Sequence, residues 1–258
     1  MKYILVTGAN GQLGKSIQEV AKNYTELRFD FKSSKELDIT NIAQVHSIFS
    51  TNKYDYCINC AAYTNVEQAE KNPEIAFRIN EEAVKNLAKN CLEAEVVLIH
   101  ISTDYVFDGE KKTPYTVNDI PNPINEYGKS KLEGEKYIQK TLNKYFIIRT
   151  SWLYSKKYGN NFYKTIVEKA KRGEILSVTD EQIGCPTNAL NLALFIMEKI
   201  VNENVNFGIK HFTDDIPMTW YDFAKLILQE NSIENNSILK KEKNYRTFAI
   251  RPKNSVLE

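Results

Sequence analysis

Tyr3-Ile4-Leu5-Val6-Thr7-Gly8-Ala9-Asn10-Gly11-Gln12-Leu13-Gly14 opens the chain as an apolar run that breaks into three glycines spaced G-x-x-G-x-x-G. A strand, a tight turn and the start of a helix follow one another within twenty residues. At such a turn Gly8 lets the backbone reverse, Gly11 lets it approach a pyrophosphate, and Gly14 lets the helix pack close to the strand. The amides of Gln12, Leu13 and Gly14 then lie at the positive end of the helix dipole, with Asn10 at the tip of the loop. The expectation is a dinucleotide site made by Gly8, Asn10, Gly11, Gln12, Leu13 and Gly14.

The pattern beyond this turn supports the same fold. Apolar, strand-like runs recur at Ile4–Thr7, Leu27–Phe31, Tyr56–Cys60, Val96–Ser102 and Tyr145–Thr150. Several lack alternation, as expected of parallel strands covered on both faces. Helical patterns fall between them near 13–22, 41–51, 73–91 and 126–141, with Pro73 suited to a first turn. The alternation predicts an α/β, doubly wound parallel sheet of the Rossmann type over residues 1–150. After Thr150 the regularity fades. Helices are expected near 161–172, 188–202 and 219–230, and short strands near 175–178 and 209–213. Residues 151–258 are read as a smaller C-terminal substrate-binding lobe, with 187–205 in part returning to the nucleotide domain. Mild Asn/Lys enrichment marks 231–244, and no internal repeat is present.

Composition narrows the function. The 258 residues carry a net charge of +1, which makes no electrostatic case for nucleic acid or an acidic membrane. No apolar run approaches the roughly 18 residues of a membrane span, and the N-terminal run is too short for a signal-peptide core. The expected location is cytoplasmic. Cys57 and Cys60 form a C-x-x-C without a second pair, so no metal site is expected. On a strand, a separation of three puts the two thiols on opposite faces.

The chemistry centres on Tyr127-Gly128-Lys129-Ser130-Lys131. Y-x-x-x-K alone says little, because roughly one or two such pairs arise by chance in a chain this rich in both residues. Tyr221 and Lys225 form a second pair, on an amphipathic C-terminal helix, and are read as structural. Tyr127 and Lys131 instead open a helix beside the sheet. Residues i and i+4 share a helix face, so the ammonium is expected near the phenol. At about 4 Å and an effective dielectric near 20 their attraction is about 4 kcal/mol. It is therefore expected to lower the phenol from about 10 by up to roughly three units. Upstream, Ser102-Thr103-Asp104-Tyr105 lies at the C-terminal end of a strand, where open α/β sheets bind ligands. Ser102 and Thr103 point to opposite faces, so only one hydroxyl can reach a reacting oxygen.

The G-x-x-G-x-x-G variant is that of short-chain dehydrogenases/reductases. The chain closely resembles one extended family among them, the dTDP-4-dehydrorhamnose reductases. The matching segments are Gly11–Gly14, Asn59–Glu67, Ser102–Gly109, Tyr127–Lys131, Arg149–Trp152, Gly159–Phe162, Gln182–Thr187 and Arg251-Pro252, in order along nearly the whole chain. The resemblance implies a catalytic set of Thr103, Tyr127 and Lys131. It also implies sugar contacts from Thr103, Asp104, Tyr105 and Trp152. Cofactor contacts would come from the glycine loop, Asp30, Asp38, Ile39, Ala61, Ala62, Tyr63, Thr64, Tyr127 and Lys131. The implied reaction reduces the C4 ketone of dTDP-4-dehydro-L-rhamnose with NADPH or NADH. A nucleotide-sugar substrate follows, and a homodimer is compatible with the likeness. Asp30 favours NAD, whereas Lys32, Ser33 and Ser34 suit the 2′-phosphate of NADP. Members of the family continue past the Arg-Pro motif, so a C-terminal helix is expected to be missing here.

Two rivals stand beside this reading. A nucleotide-sugar dehydratase or epimerase is one, but similar dehydratases carry Thr-Asp-Glu where this chain has Thr103-Asp104-Tyr105. The other is a catalytically silent regulatory subunit, similar to the beta subunit of methionine adenosyltransferase. An intact Thr103, Tyr127 and Lys131 favours catalysis over it.

Overall fold

The structure is a computed structural model and describes residues 1–202, 206–234, 238–243 and 245–258. Residues 203–205 of the expected returning segment, and 235–237 and 244 of the Asn/Lys-rich stretch, lie outside the described residues.

The first half runs β1 (Lys2–Thr7), α1 (Gln12–Ala21), β2 (Leu27–Lys32), α2 (Ile42–Thr51), β3 (Tyr56–Asn59), α3 (Val66–Lys71), α4 (Pro73–Phe77), a π-helical turn (Arg78–Glu82), α5 (Ala83–Glu93), β4 (Val97–Thr103), a 3₁₀ turn (Asp104–Val106), α6 (Glu126–Thr141) and β5 (Tyr145–Thr150). The second half adds β6 (Leu153–Tyr154), α7 (Phe162–Lys171), β7 (Leu176–Val178), β8 (Ile183–Gly184), β9 (Thr187–Asn188), α8 (Ala189–Val201), β10 (Gly208–His211), β11 (Met218–Thr219), α9 (Trp220–Glu230) and β12 (Leu239–Lys241).

Six strands form one parallel sheet in the order β2-β1-β3-β4-β5-β10. The chain leaves β1 toward one edge to make β2, then builds toward the other edge from β3 onward. The reversal lies between β1 and β3, and ligand crevices form at the carboxyl ends of strands at such a switch. Alternation along the strands feeds two cores. Leu5, Cys57, Leu98 and Ile147 pack under α2, α5 and α6. Ile4, Val6, Ile58, Ile99, Phe146 and Ile148 pack under α1 and α8. Cys57 belongs to the first core and Cys60 packs against the second, as their spacing predicts, and the four cysteines are free thiols.

Two elements differ from expectation. The strand expected near 209–213 in the lobe is β10, the sheet edge beside β5. Its sequence, Gly-Ile-Lys-His, lacks the apolar run by which the inner strands declare themselves. The single helix expected over 73–91 is broken by the π turn at Arg78–Glu82, which turns Asn80 inward. The remaining segments gather a separate small core between α7, α9, β7 and β12, built on Ile166, Leu176, Phe223, Ile227, Leu228 and Leu239.

Candidate active site

A cavity of about 560 Å³ opens at the carboxyl ends of the central strands. Gly11, Gln12, Leu13 and Gly14 form one wall, Ala62 and Thr64 another, and Thr103, Asp104, Tyr105, Tyr127 and Lys131 the floor. Trp152, Phe162 and Trp220 close the far side.

The glycine turn has the local chemistry of an anion cradle. Asn or Thr side chains cap α2, α3, α6, α7, α8 and α9. The N-cap of α1 is Gly11, which has no side chain to offer, so the first-turn amides are left toward the cavity. Gly8 has φ +63°, and a Cβ there would lie 2.7 Å from the Ala61 amide nitrogen. At Gly14 a Cβ would meet Ala9 and the Gly8 carbonyl, so this glycine tightens the loop onto its own helix. At Gly11 a Cβ would meet only the Gly8 carbonyl oxygen, at 3.2 Å, and otherwise project into open space. A dinucleotide fits this cradle: backbone donors stand uncapped where a diphosphate needs them.

Thr103 ends β4 and Tyr127 lies in the first turn of α6, whose N-cap Asn125 accepts from the Gly128 amide. Gly128 is required there, since a Cβ would sit 2.1 Å from the Tyr105 carbonyl oxygen. The Thr103 hydroxyl donates to Asp104 Oδ1 at 3.0 Å and accepts from the Tyr105 amide, and its proximity acts to lower the Tyr127 phenol. Ser102, on the opposite face, donates to Glu135 instead. Glu135 in turn holds Arg149 in a fully buried ion pair. Of the two hydroxyls, Thr103 is the one that shares the Tyr127 environment.

The expected lowering of the phenol is not seen. Burial pushes Tyr127 up to about 12; the Thr103 hydrogen bond partly offsets this and the Asp104 charge adds to it. Lys131 exerts no downward pull, because its Nζ turns away to the Ile101 carbonyl at 2.6 Å and His100 Nε2 at 3.2 Å. Burial brings Lys131 itself down to about 8. Burial also raises Asp104 to about 7, against hydrogen bonds from Ser255 and Thr103, and leaves its Oδ2 without a partner. At neutral pH Tyr127 is therefore a phenol, a proton donor.

Trp152 adopts φ 46°, a left-handed conformation uncommon for a bulky residue. Its indole stacks on Trp220 at 3.6 Å with 7° between planes. Gly184 makes room for it, as a Cβ there would lie 2.6 Å from the indole ring. Trp220 is held by its Nε1–H donating to Gln182 at 3.0 Å. Sequence reading misses Trp220, since 68 residues separate the stacked pair and no period links them.

Other expected cofactor residues do not line this cavity. Asp30 accepts from Tyr54 Oη at 2.5 Å and pairs with Lys32 at 2.9 Å. Ser33 is tied to Glu36, so its hydroxyl is already engaged. Asp38 accepts from Thr40, and Ile39 is buried in the first core, leaving only its backbone to a ligand. Ala61 donates its amide to Asn59, and Tyr63 is clamped through both backbone groups by Asn80 from the π turn. Asn80 also escapes a reading of the sequence, because a π turn has no signature in hydrophobic spacing. Tyr221 of the second Y-x-x-x-K pair packs on the lobe core, and Lys225 is exposed.

A glycine cradle at a sheet switch point, with Thr, Tyr and Lys converging below it, defines an oxidoreductase of the short-chain dehydrogenase/reductase class. The whole chain, residues 1–258, matches the family described as RmlD substrate binding domain. It is 42% identical to the dTDP-4-dehydrorhamnose reductase of Aggregatibacter actinomycetemcomitans, over 100% of this chain and 91% of that protein. The dTDP-4-dehydrorhamnose reductase of Bacillus anthracis strain Ames, solved in complex with NADP, superposes with a TM-score of 0.94 at 40% identity, covering 100% and 91% of the two chains. The ortholog from Clostridium acetobutylicum ATCC 824 gives 0.93 at 40% identity, covering 99% and 90%. The chain belongs to the dTDP-4-dehydrorhamnose reductase family.

Proposed function

We propose that this protein reduces the C4 ketone of dTDP-4-dehydro-L-rhamnose to the alcohol of dTDP-L-rhamnose, with NADPH or NADH as hydride donor. The observation that carries this is the convergence of Thr103, a protonated Tyr127 and Lys131 in the same cavity as the uncapped start of α1. A nicotinamide dinucleotide bound there supplies the hydride. The protein's part is to place the ketone, polarise it and deliver one proton. Thr103 and Tyr127 hydrogen-bond the ketone oxygen. As negative charge develops on it, Tyr127 Oη gives up its proton and becomes phenolate, a general acid step worth about 10²–10⁴-fold. Lys131 anchors the cofactor ribose, Asp104 and Tyr105 bind the sugar, and the Trp152 indole covers the pyranose and excludes water.

The adjoining cavity of about 270 Å³ supports a nucleotide-sugar substrate. It shares Phe162 and Trp220 with the first, and adds Lys169 and Arg251 as cations and Ile175 and Val178 as apolar walls. A diphosphate crossing from one cavity to the other would place the sugar under Trp152 and the base against the lobe.

Among the described residues no helix is long and apolar enough to cross a membrane. We read the protein as cytoplasmic and as a candidate homodimer, the latter decided by light scattering on the purified protein. The activity is tested by following NADPH and NADH oxidation with dTDP-4-dehydro-L-rhamnose. Turnover is expected. Tight nucleotide binding without turnover would instead support the regulatory-subunit reading.

A further inference from the structure

Gln12 belongs to the glycine turn, yet its side chain reaches into the lobe. Its Nε2 donates to the Leu153 carbonyl at 3.0 Å, and its Oε1 accepts from Asn161 Nδ2 at 3.2 Å. These partners lie 141 and 149 residues further along the chain. Gly159, at φ +68°, makes room for the contact, since a Cβ there would lie 2.9 Å from Gln12 Cβ.

The partners fix which way the amide faces. A carbonyl only accepts, so Gln12 presents its nitrogen to Leu153 and its oxygen to Asn161. Asn161 presents its own nitrogen, because its Oδ1 already accepts from the Lys164 amide at 3.1 Å as the N-cap of α7. Glutamate would lack the donor for Leu153, and asparagine is one methylene shorter.

Both contacts fall on the substrate side of the cavity. Leu153 follows Trp152, whose left-handed φ of 46° persists only where neighbours impose it. Asn161 precedes Phe162, which lines both cavities and packs on Trp220 with ring centroids 4.6 Å apart. Helix α1 touches the same loop once more, through Glu19, which accepts from Lys157 Nζ at 2.5 Å and Tyr158 Oη at 3.0 Å. That ion pair lies toward solvent, where such pairs add little.

We propose that Gln12 is a positioning residue for the nucleotide sugar: its backbone belongs to the cofactor cradle, while its side chain fixes the Trp152–Phe162 wall against which the substrate binds. That the ligand of this wall is a nucleotide sugar rests on the proposed reductase function; that Gln12 fixes the wall does not. The cradle and the wall share one residue, and changing only its side chain separates their contributions.

Gln12→Met keeps the side-chain length and the backbone amide and loses both hydrogen bonds. By calorimetry NADP⁺ should bind this variant within about twofold of wild type, because the donors of the cradle are backbone groups. dTDP-L-rhamnose should bind roughly three- to tenfold more weakly, the worth of a hydrogen bond. KM for the keto sugar should rise by the same factor, with a smaller fall in kcat. An equal or larger loss for NADP⁺, or no loss for either ligand, overturns the proposal. Glu19→Gln removes the exposed contact alone and should leave both affinities within about twofold. A loss matching that of Gln12→Met would assign the effect to the loop as a whole and overturn the role of Gln12. Trp152 and Trp220 are the only tryptophans of the chain, so indole emission reads the wall with no substrate present. Acrylamide quenching should rise in Gln12→Met, with the fold verified by circular dichroism; unchanged quenching overturns the proposal whether or not the protein turns over. Should Gln12→Met not fold, Gln12→Glu, which keeps the acceptor for Asn161 and loses the donor to Leu153, should show the same rise. If the wild type neither binds dTDP-L-rhamnose nor turns over, the reductase reading falls, and the emission alone decides whether Gln12 holds the wall.

Discussion

Two helices of this protein begin with the same chemistry and come to different ends. On α6, Tyr127 and Lys131 open into the main cavity, and Lys131 is sealed beneath it against His100 and Ile101. On α9, Tyr221 rests against the lobe core with Lys241 over its ring, and Lys225 lies in solvent. Spacing puts tyrosine and lysine on one face in both cases. What separates them is the surface that face meets. The α6 face meets the carboxyl ends of β4 and β5, where the sheet topology leaves a crevice; the α9 face meets other side chains. Replacing each tyrosine tests this most strongly. Tyr127→Phe should retain dinucleotide affinity and lose about 10²–10⁴-fold in kcat, the worth of a general acid. Tyr221→Phe should stay within about twofold. Near-normal turnover in the first variant, measured by NAD(P)H oxidation, would remove Tyr127 from the chemistry.

The same contrast separates what is legible in the amino-acid sequence from what is not. The glycine turn, the first five strands and their helices are legible, because periodicity and glycine geometry are local properties of a chain. Helix α6 falls at 126–141, the span its pattern predicts. β10 reads as part of the lobe because an edge strand needs no apolar run. The sign of the Tyr127 shift does not follow from the sequence, because spacing alone cannot say where a lysine amine will point. Trp220, Asn80 and the contacts of Gln12 with Leu153 and Asn161 join residues that are distant along the chain, and only the fold brings them together.

The lobe contributes through aromatic surface where α6 contributes charge. Trp220→Ala removes the partner that stacks on Trp152 at 3.6 Å and a wall shared by both cavities. An aromatic pair adds about 0.5–1.5 kcal/mol beyond its buried area. The expected result is a rise in KM for the nucleotide sugar of roughly tenfold, with a smaller change in kcat. A fall in kcat with unchanged KM would place Trp220 in the chemistry of α6 instead of in substrate binding.

At the β2 edge the comparison becomes one of cofactors. Asp30 is paired with Lys32, so removing the carboxylate takes away a ribose-diol acceptor and frees a cation for a 2′-phosphate. Asp30→Ala should weaken NADH by several-fold more than NADPH, which calorimetry with each cofactor would show. Equal losses would mean that Asp30 does not read the ribose.

The smallest effect sets a buried carboxyl on the first site against a solvated one on the lobe. Asp104 is raised by burial from 3.8 to about 7. Between those values the folded protein keeps a proton that the unfolded chain has released. Stability attributable to Asp104 therefore falls as pH rises through this window, and adds no further slope above about 7. Asp104→Asn removes the ionisation while retaining an oxygen to accept from Thr103. It should flatten Tm against pH between 4 and 7 and raise Tm by a few degrees at neutral pH, given about 2–4 °C per kcal/mol for a chain of this size. Asp180 on the lobe has the opposite sign: Lys241 holds its exposed carboxylate below the ordinary value. Whatever Asp180 contributes is present at neutral pH and lost only as acid protonates it, and solvent screening keeps it small. Asp180→Asn should therefore leave the neutral range unchanged. Thermal unfolding of the two variants across pH decides the matter. Parallel curves for Asp104→Asn and the wild type would show that Asp104 stays ionised in the folded protein. Its unpartnered oxygen would then require a cation that the Thr103–Tyr127 floor does not supply.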